Sequence, residues 1–393
     1  MLRVGCQYQW IGRNLRQLCS VAAVDGPPVT SNMSQSFWTA ETNPASHDNH
    51  HEGRFYRIPD NAVKQLFTHG GLTKQFKTLS KTLNELAIMV RSPATEVIGY
   101  LKETDFKAPV NRYVLHGKMG TGKTTSLAHI LHYGSSQGFL LVHVPWVPVL
   151  FRNHSIEREI TASATKPDMF EHPVKAVEWL KHFSLQNGPL LKELNMKTTE
   201  TYTWSKREMT PEGSTWNELI ELGLTRAKYA TDCVDILLKE IKKAATKDQC
   251  RVLVVIDGMN AFFESKSLAR REDRSYIQPL NFSLTHSFLS ITNNDWNNGA
   301  VVVSVDPMAH PGENKEPFLP RHLLGKQGFE HLDPFIPIHV SNYNAKEIHS
   351  QISYYIDRHW LVQPKAHTEA GRLELQHASG ANPYNLMQLV APY

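Results

Sequence analysis

Residues 117–124 read Gly-Lys-Met-Gly-Thr-Gly-Lys-Thr, which matches the phosphate-binding loop pattern G-x-x-x-x-G-K-[ST] at every position. In such a loop the glycines let backbone N–H groups turn toward phosphate oxygens, the lysine adds a positive charge, and the last hydroxyl binds Mg²⁺. The sequence therefore predicts a nucleotide site. Its expected phosphate ligands are Gly117, Lys118, Met119, Gly120, Thr121, Gly122, Lys123, Thr124 and Thr125.

The segments on either side of the loop fit this interpretation. Residues 112–116 are β-prone, and Leu127, Ile130 and Leu131 recur at the spacing of one helix face within 124–133. A helix that begins at the loop adds the partial positive charge of its N-terminus to the site.

A second apolar run, Val-Leu-Val-Val-Ile at 252–256, leads into Asp257. Ligands of open α/β sheets bind at the carboxyl ends of the strands, so we expect Asp257 to lie at the phosphate site. There it would hold Mg²⁺ through water, beside the Thr124 hydroxyl. A buried strand that ends in an ordinary Asp-Gly turn is the alternative.

The residues that follow Asp257 make efficient hydrolysis doubtful. ATP-hydrolysing P-loop proteins of the additional-strand class usually carry an acid directly after this aspartate, whereas position 258 is Gly and Glu264 lies further along the chain. A third strand ends at 304–306, where a polar group would lie near the γ-phosphate or simply end the strand. The lid arginine that many such proteins direct at the γ-phosphate is missing near the turn at 379–384. Nucleotide binding is predicted, and turnover is not.

Strand and helix patterns alternate along most of the chain. This alternation predicts an α/β fold. Beyond residue 341 the pattern is helical only. The expected fold is a P-loop parallel sheet of the AAA-like, additional-strand class, with helices on both faces and a C-terminal helical lid. The expected strands are 112–116, 139–144, 252–257, 300–305 and 335–340, and the expected helices include 124–133, 173–183, 225–244, 284–292 and 346–360.

The N-terminal residues 1–24 carry Arg3, Arg13 and Arg16 and no acid, which is typical of a mitochondrial presequence; an exposed basic tail is the alternative. A polar stretch follows, and a helical pattern begins after it, with Ser92 expected as an N-cap. The expected parts are a presequence at 1–24, a flexible arm at 25–51, a helical segment at 52–103, the nucleotide-binding core at 104–340 with an insertion at about 146–215, and the lid at 341–393.

Composition excludes several classes of protein. A hydrophobic fraction of 41% and a charged fraction of 20% describe an ordinary soluble globular protein, and no apolar stretch is long enough to span a membrane. The formal charge is +4, and it falls near +1 without the three N-terminal arginines. We therefore expect no DNA partner, and any RNA contact must come from local patches. The four cysteines show no metal-site or disulfide spacing.

Three polar features have a structural and a functional interpretation. His47, His50 and His51 are expected to mark a solvated linker rather than a metal site. Residues 165–168 match the guanine-binding pattern [NT]-K-x-D, but they precede Asp257, so we interpret them as a chance match. A charged loop with Lys266, Arg270, Arg271 and Arg274 is either solvated or a docking surface for RNA or an acidic protein.

Several further segments together resemble one family. They read Arg-Phe-Tyr-Arg-Ile-Pro at 54–59, Met-Val-Arg-Ser-Pro-Ala at 89–94, Tyr-Thr-Trp-Ser-Lys-Arg-Glu at 202–208, Val-Ile-Asp-Gly-Met-Asn-Ala at 255–261 and Asn-Asp-Trp at 294–296. With the phosphate-binding loop, they resemble the death-associated protein family of the mitochondrial small ribosomal subunit. The resemblance covers residues 52–393.

This resemblance implies a protein of the mitochondrial matrix that sits in the head of the small subunit near contacts to the large subunit. Its partners would be ribosomal proteins and rRNA. The nucleotide would be GTP or GDP with Mg²⁺, held as a structural ligand, and an involvement in apoptosis is implied as well. The residues alone do not exclude ATP. An active ATPase or GTPase that acts as a switch in the matrix is the alternative function.

Overall fold

The computed structural model describes residues 37–151, 160–163, 166–265, 267, 269–271, 273–309 and 317–391. The expected presequence at 1–24, the first part of the expected arm, and the side chains of Thr165 and Lys266 lie outside the described residues.

Strands and helices alternate through the described residues. The strands are β1 (Phe55–Arg57), β2 (Ala87–Met89), β3 (Asn111–His116), β4 (Leu140–Val144), β5 (Thr161–Ala162), β6 (Phe170–Glu171), β7 (Tyr202–Thr203), β8 (Met209–Thr210), β9 (Val252–Ile256), β10 (Gly299–Ser304) and β11 (Ile336–His339). The helices are α1 (Asp60–Phe67), α2 (Lys74–Leu83), α3 (Ser92–Glu103), α4 (Lys123–Ser136), α5 (Pro173–Leu194), α6 (Trp216–Thr225), α7 (Ala230–Thr246), α8 (Ser283–Ile291), α9 (Pro320–Leu332), α10 (Ala345–Asp357), α11 (Glu369–Ser379) and α12 (Pro383–Val390).

Five parallel strands form the central sheet, in the order β11-β3-β10-β9-β4. The expected strands are thus confirmed, and β10 lies between the loop strand β3 and the Asp257 strand β9. The register pairs Val303 with both Val114 and Ile256, so these three strands end close together. Their carboxyl ends bring the 117–124 loop, Asp257 and residues 304–306 to one edge.

Both faces of the sheet are covered, as the continuous apolar strands require. Alternate residues of β9 belong to different buried clusters: Leu253 packs with α4, whereas Val254 packs with α7. The α4 cluster also contains Ile130, and the α7 cluster contains Leu237. This three-layer packing holds the loop between β3 and α4 in place.

The segment at 52–103 is helical only in part. It forms α1, α2 and α3, but β1 and β2 pair antiparallel, with Phe55 opposite Met89. Ser92 is the first residue of α3 and not its cap, because the N-cap position is Arg91, whose side chain does not cap the helix.

From residue 37 on, the stretch predicted as a flexible arm contains buried side chains. Phe37 is buried, and its carbonyl accepts a hydrogen bond from the Phe55 N–H at 2.7 Å. His47, expected in a solvated linker, is also buried, with its Nδ1 2.8 Å from Nε2 of His129 on α4. The polar composition of this stretch hides side chains that pack on the core.

The remaining elements belong to the insertion and to the region after β11. The insertion contains the short β5–β6 and β7–β8 hairpins and a helix α5 that runs beyond the predicted 173–183. After β11 the described residues form helices α10, α11 and α12 without further strands. No helix among the described residues has the length and apolar character needed to traverse a lipid bilayer.

Candidate nucleotide-binding site

Two glycines give the loop between β3 and α4 a backbone conformation that other residues rarely adopt. Gly120 and Gly122 have φ values of 79° and 99°, a region where a side chain is strained. Gly122 is the N-cap of α4 and provides no side-chain hydrogen bond to it. The first N–H groups of α4 therefore have no side-chain cap. Uncapped N–H groups at a helix N-terminus are the donors that bind an anion.

Lys123 directs its charge into this loop. Its side chain is buried, and Nζ donates to the carbonyls of Gly117 and Lys118 at 2.9 and 2.8 Å. Nζ also forms an ion pair with Asp306 Oδ2 at 3.0 Å. A phosphate that reaches Lys123 would therefore meet a positive charge that is already positioned, next to a carboxylate that competes for it.

Thr124 and Asp257, the expected metal pair, are brought together. Thr124 Oγ1 donates to Asp257 Oδ2 at 2.7 Å, and the Ser304 hydroxyl donates to Oδ1. Asp257 is 3% exposed, and this burial raises its pKa to about 6. A hydroxyl and a carboxylate are the oxygen ligands that Mg²⁺ prefers, and a bound cation would offset the burial of the charge. These side chains thus fit Mg²⁺ with a nucleotide: Thr124 and Asp257 would hold the ion, which would supply Lewis-acid polarisation of the phosphates.

No acid takes the position after Asp257. Gly258 has a φ of 77°, and its N–H donates to the Ser304 hydroxyl at 2.9 Å. A Cβ at this position would lie 2.9 Å from the Trp146 ring, so the packing of Trp146 requires glycine. Glu264 comes only after the 3-10 turn Met259–Phe263. The residues after β10 bring a different carboxylate to the site. It belongs to Asp306, which forms the ion pair with Lys123.

Three consecutive carbonyls of the loop are bound from outside it. The Met119 carbonyl accepts from Asn382 Nδ2 at 3.0 Å, and the Gly120 carbonyl accepts from the Tyr384 N–H at 3.1 Å. The Thr121 carbonyl accepts from Arg91 Nη1 at 2.6 Å. The start of α12 and the start of α3 therefore both hold the loop. We call these three hydrogen bonds the loop clamp.

Arg91 is the site residue that sequence reasoning missed. Its guanidinium also binds Glu347 of α10, with Nε to Oε1 at 2.8 Å and Nη2 to Oε2 at 3.2 Å, and Nη2 donates to the Ser341 carbonyl at 3.0 Å. Arg91 and Glu347 are 5% and 2% exposed. The only sequence signal was its place in the 89–94 motif. It does not replace the missing lid arginine, because four of its five N–H groups donate to protein oxygens.

The other predicted loop residues are placed unequally. Lys118 is exposed, and Met119 is 46% exposed at the tip. Thr121 Oγ1 donates to the Lys118 carbonyl and Thr125 Oγ1 to the Gly122 carbonyl, so these hydroxyls shape the loop itself. The described part of the guanine-like pattern lies in the β5–β6 hairpin, and its Asp168 carbonyl accepts from Asn281.

Comparison with known proteins gives consistent matches over most of the chain. A family model described as mitochondrial ribosomal death-associated protein 3 matches residues 88–389. The chain is 41% identical to small ribosomal subunit protein mS29 of Bos taurus over 373 residues, which cover 95% of this chain and 92% of that protein. The protein of the same name from Mus musculus is 40% identical, with coverage of 90% and 88%. That of Schizosaccharomyces pombe is 24% identical over 53% of this chain and 43% of its own length. The chain therefore belongs to the mitochondrial ribosomal death-associated protein 3 family.

Proposed function

We propose that the chain is a structural component of the mitochondrial small ribosomal subunit that binds a guanine nucleotide with Mg²⁺ and retains it. Membership of a mitochondrial ribosomal family indicates a location in the mitochondrial matrix, in agreement with the arginine-rich N-terminal residues. The partners in this proposal are small-subunit proteins and rRNA, with a contact to the large subunit. The preference for guanine and the apoptotic role rest on the family resemblance.

The observation that carries the proposal of nucleotide binding is the loop clamp. The strand order, with β10 between β3 and β9, supports an additional-strand P-loop core. In such a core a bound nucleotide would contact a loop that α3 and α12 already hold. A ligand present at 100 times its Kd adds about 2.7 kcal/mol to folding stability, so a retained nucleotide stabilises all three segments.

The competing function is an active hydrolase that switches between states. One observation favours it: Asp306 brings a carboxylate to within 3.0 Å of Lys123 Nζ. Its use as a base is opposed by this ion pair, which occupies the carboxylate, and by Gly258 at the position of the usual acid.

The test is to release the small molecule from natively purified protein by denaturation and identify it by mass. We expect one guanine nucleotide per chain, lost in Lys123→Ala and retained in Lys107→Ala, which replaces an exposed lysine outside the loop. Multiple turnovers that Lys123→Ala abolishes would instead establish the hydrolase. Recovery of the endogenous protein only in fractions without mitochondrial small subunits would exclude the ribosomal role.

A further inference from the structure

The family motif at 202–208 does not contribute to the nucleotide-site contacts described above. It forms the β7–β8 hairpin, whose turn is held by a hydrogen bond from the Trp204 N–H to the Glu208 carbonyl at 2.9 Å. The Ser205 hydroxyl accepts from the Glu208 N–H at 3.2 Å, and Trp204 Nε1 donates to Thr210 Oγ1 at 2.8 Å. The turn that carries Lys206 and Arg207 is therefore preorganised.

The hairpin is also fixed to the helical layer beside it. Tyr202 Oη donates to Glu240 of α7 at 2.7 Å, and Tyr229 Oη donates to Glu208 Oε2 at 2.8 Å. Trp204 and Tyr229 pack with their ring centroids 5.6 Å apart. These contacts bring the turn next to the short connection between α6 and α7, which carries Arg226 and Lys228.

Two exposed cations lie beside one half-buried carboxylate, and two more are exposed on the turn that carries it. Arg226 Nη2 and Lys228 Nζ lie 3.4 and 4.0 Å from Glu208, with the two cationic side chains 59% and 64% exposed. Lys206 and Arg207 are exposed on the turn itself. We call Lys206, Arg207, Arg226 and Lys228 the basic surface. With Glu208 it carries a local charge of +3, whereas the whole chain carries only +4.

The cations of the basic surface are available to another anion. Ion pairs at these distances and exposures contribute only about 0–1 kcal/mol, so a stronger ligand can displace Glu208, which keeps its Tyr229 hydrogen bond. Among the described residues, the exposed acids Glu212 and Glu221 form no ion pair with the basic surface. Met209 beside it is 63% exposed, which adds an apolar contact.

We propose that the basic surface binds the phosphate backbone of ribosomal RNA. This inference rests on the proposed function, because in a ribosomal subunit the anion that surrounds a protein is chiefly RNA phosphate. Lysine and arginine bind phosphates without reading base sequence, so the surface positions the protein on RNA. An acidic protein segment is the competing ligand.

The test measures binding of the purified full chain to a fluorescent single-stranded RNA of mixed sequence, about 20 nucleotides long, between about 50 and 200 mM salt. The variant replaces all four residues of the basic surface with Gln. The matched control replaces four exposed lysines from other elements with Gln and changes the net charge equally: Lys64, Lys192, Lys247 and Lys326.

Each lost phosphate contact on a single strand lowers the salt slope by about 0.7, so the surface variant should lose about 3 units of slope. Across this salt range the wild-type affinity should therefore fall roughly 50-fold more than that of the variant. The control should retain the wild-type slope. A second variant, Lys206→Gln with Arg207→Gln, leaves the Arg226 and Lys228 ion pairs with Glu208 in place and should lose about half as much slope, which separates lost binding from misfolding.

An unchanged slope in the surface variant, an equal loss in the control, or displacement of the RNA by polyglutamate at equal charge would overturn the inference. Sedimentation of the tagged wild-type chain with mitochondrial small subunits tests the proposed function separately. If the chain sediments with the subunit but the surface variant cross-links to RNA as the wild type does, only the further inference fails.

Discussion

Replacement of Arg91 by Met should be among the most destabilising single changes in this protein. The guanidinium forms four hydrogen bonds, two to the Glu347 carboxylate and one each to the carbonyls of Thr121 and Ser341. It also lies 4.9 Å from the centre of the Tyr343 ring. All of these contacts are lost at once, and Glu347 remains as a buried charge.

The expected loss of folding stability follows from the groups that lose their partner. Removal of one partner of a buried ion pair costs about 3–5 kcal/mol, because the other charge has lost both its counter-ion and its water. The double variant Arg91→Met with Glu347→Gln removes that charge and retains a side chain that can cap α10. The Thr121 and Ser341 carbonyls then lose a donor, at about 1 kcal/mol each, and the amide at position 347 loses its Arg91 partner as a neutral rather than a charged group. The double variant should therefore be about 1–3 kcal/mol more stable than the single one.

Urea denaturation of the nucleotide-free chain measures these differences directly. Arg57→Gln is the matched control, because its pair with Asp60 is exposed on both sides and should contribute less than about 1 kcal/mol. The same variants should be measured with saturating nucleotide, where Arg91→Met is expected to bind more weakly because the Thr121 carbonyl is no longer held.

Two results would refute this reasoning. One is a cost below about 1 kcal/mol for Arg91→Met, which would mean that water or another side chain replaces the guanidinium. The other is a double variant no more stable than Arg91→Met, which would mean that the uncompensated charge of Glu347 is not the main cost.

The remaining predictions concern the charge on Lys123 and the buried histidines. Asp306→Asn removes the carboxylate that competes for Lys123, so it should raise affinity for a triphosphate over a diphosphate by up to about tenfold, or 1.4 kcal/mol, in calorimetric titrations; an equal change for both ligands would contradict it. Burial lowers the pKa of His132 to about 4, so the unfolded chain takes up a proton first as the pH falls below about 6.5. The free energy of unfolding should therefore decrease as the pH falls, and His132 should account for about 2 kcal/mol of the decrease near pH 5. His132→Gln should flatten the dependence in urea titrations near pH 7 and pH 5, and an unchanged pH dependence would argue against a neutral buried ring.

The sheet was predictable because its strands carry their signal locally. A parallel strand buried on both faces is a short continuous apolar run, and 252–256 is such a run along its whole length. The β5–β8 strands are only two residues long, too short for any alternation to be read. Burial of Phe37 and His47 was also hidden, because both depend on partners far along the chain rather than on their polar neighbours.

The residues of the candidate site differ in the same way, because local sequence predicts some of them and not others. The proximity of the 117–124 loop and Asp257 could be predicted because phosphate binding would dictate those residue types. Arg91 could not, since arginine is usually exposed and a buried one leaves no periodic pattern. Its partner Glu347 is 256 positions away, and only the fold brings the two together.

The loop clamp also bears on how long a nucleotide would stay. A lid that opens in every catalytic cycle must break the bonds that Asn382 and Tyr384 make to the loop, and opening on the other side must break the bond from Arg91. Neutral hydrogen bonds contribute about 0.5–1.5 kcal/mol each and charged ones about 1.5–3, so the two neutral bonds and one charged bond of the clamp contribute about 2.5–6 kcal/mol in total. Full opening is then rarer than the closed state by roughly two to four orders of magnitude. Nucleotide exchange through that opening would be correspondingly slow, which suits a ligand that is retained and opposes rapid switching unless a partner pulls the clamp apart.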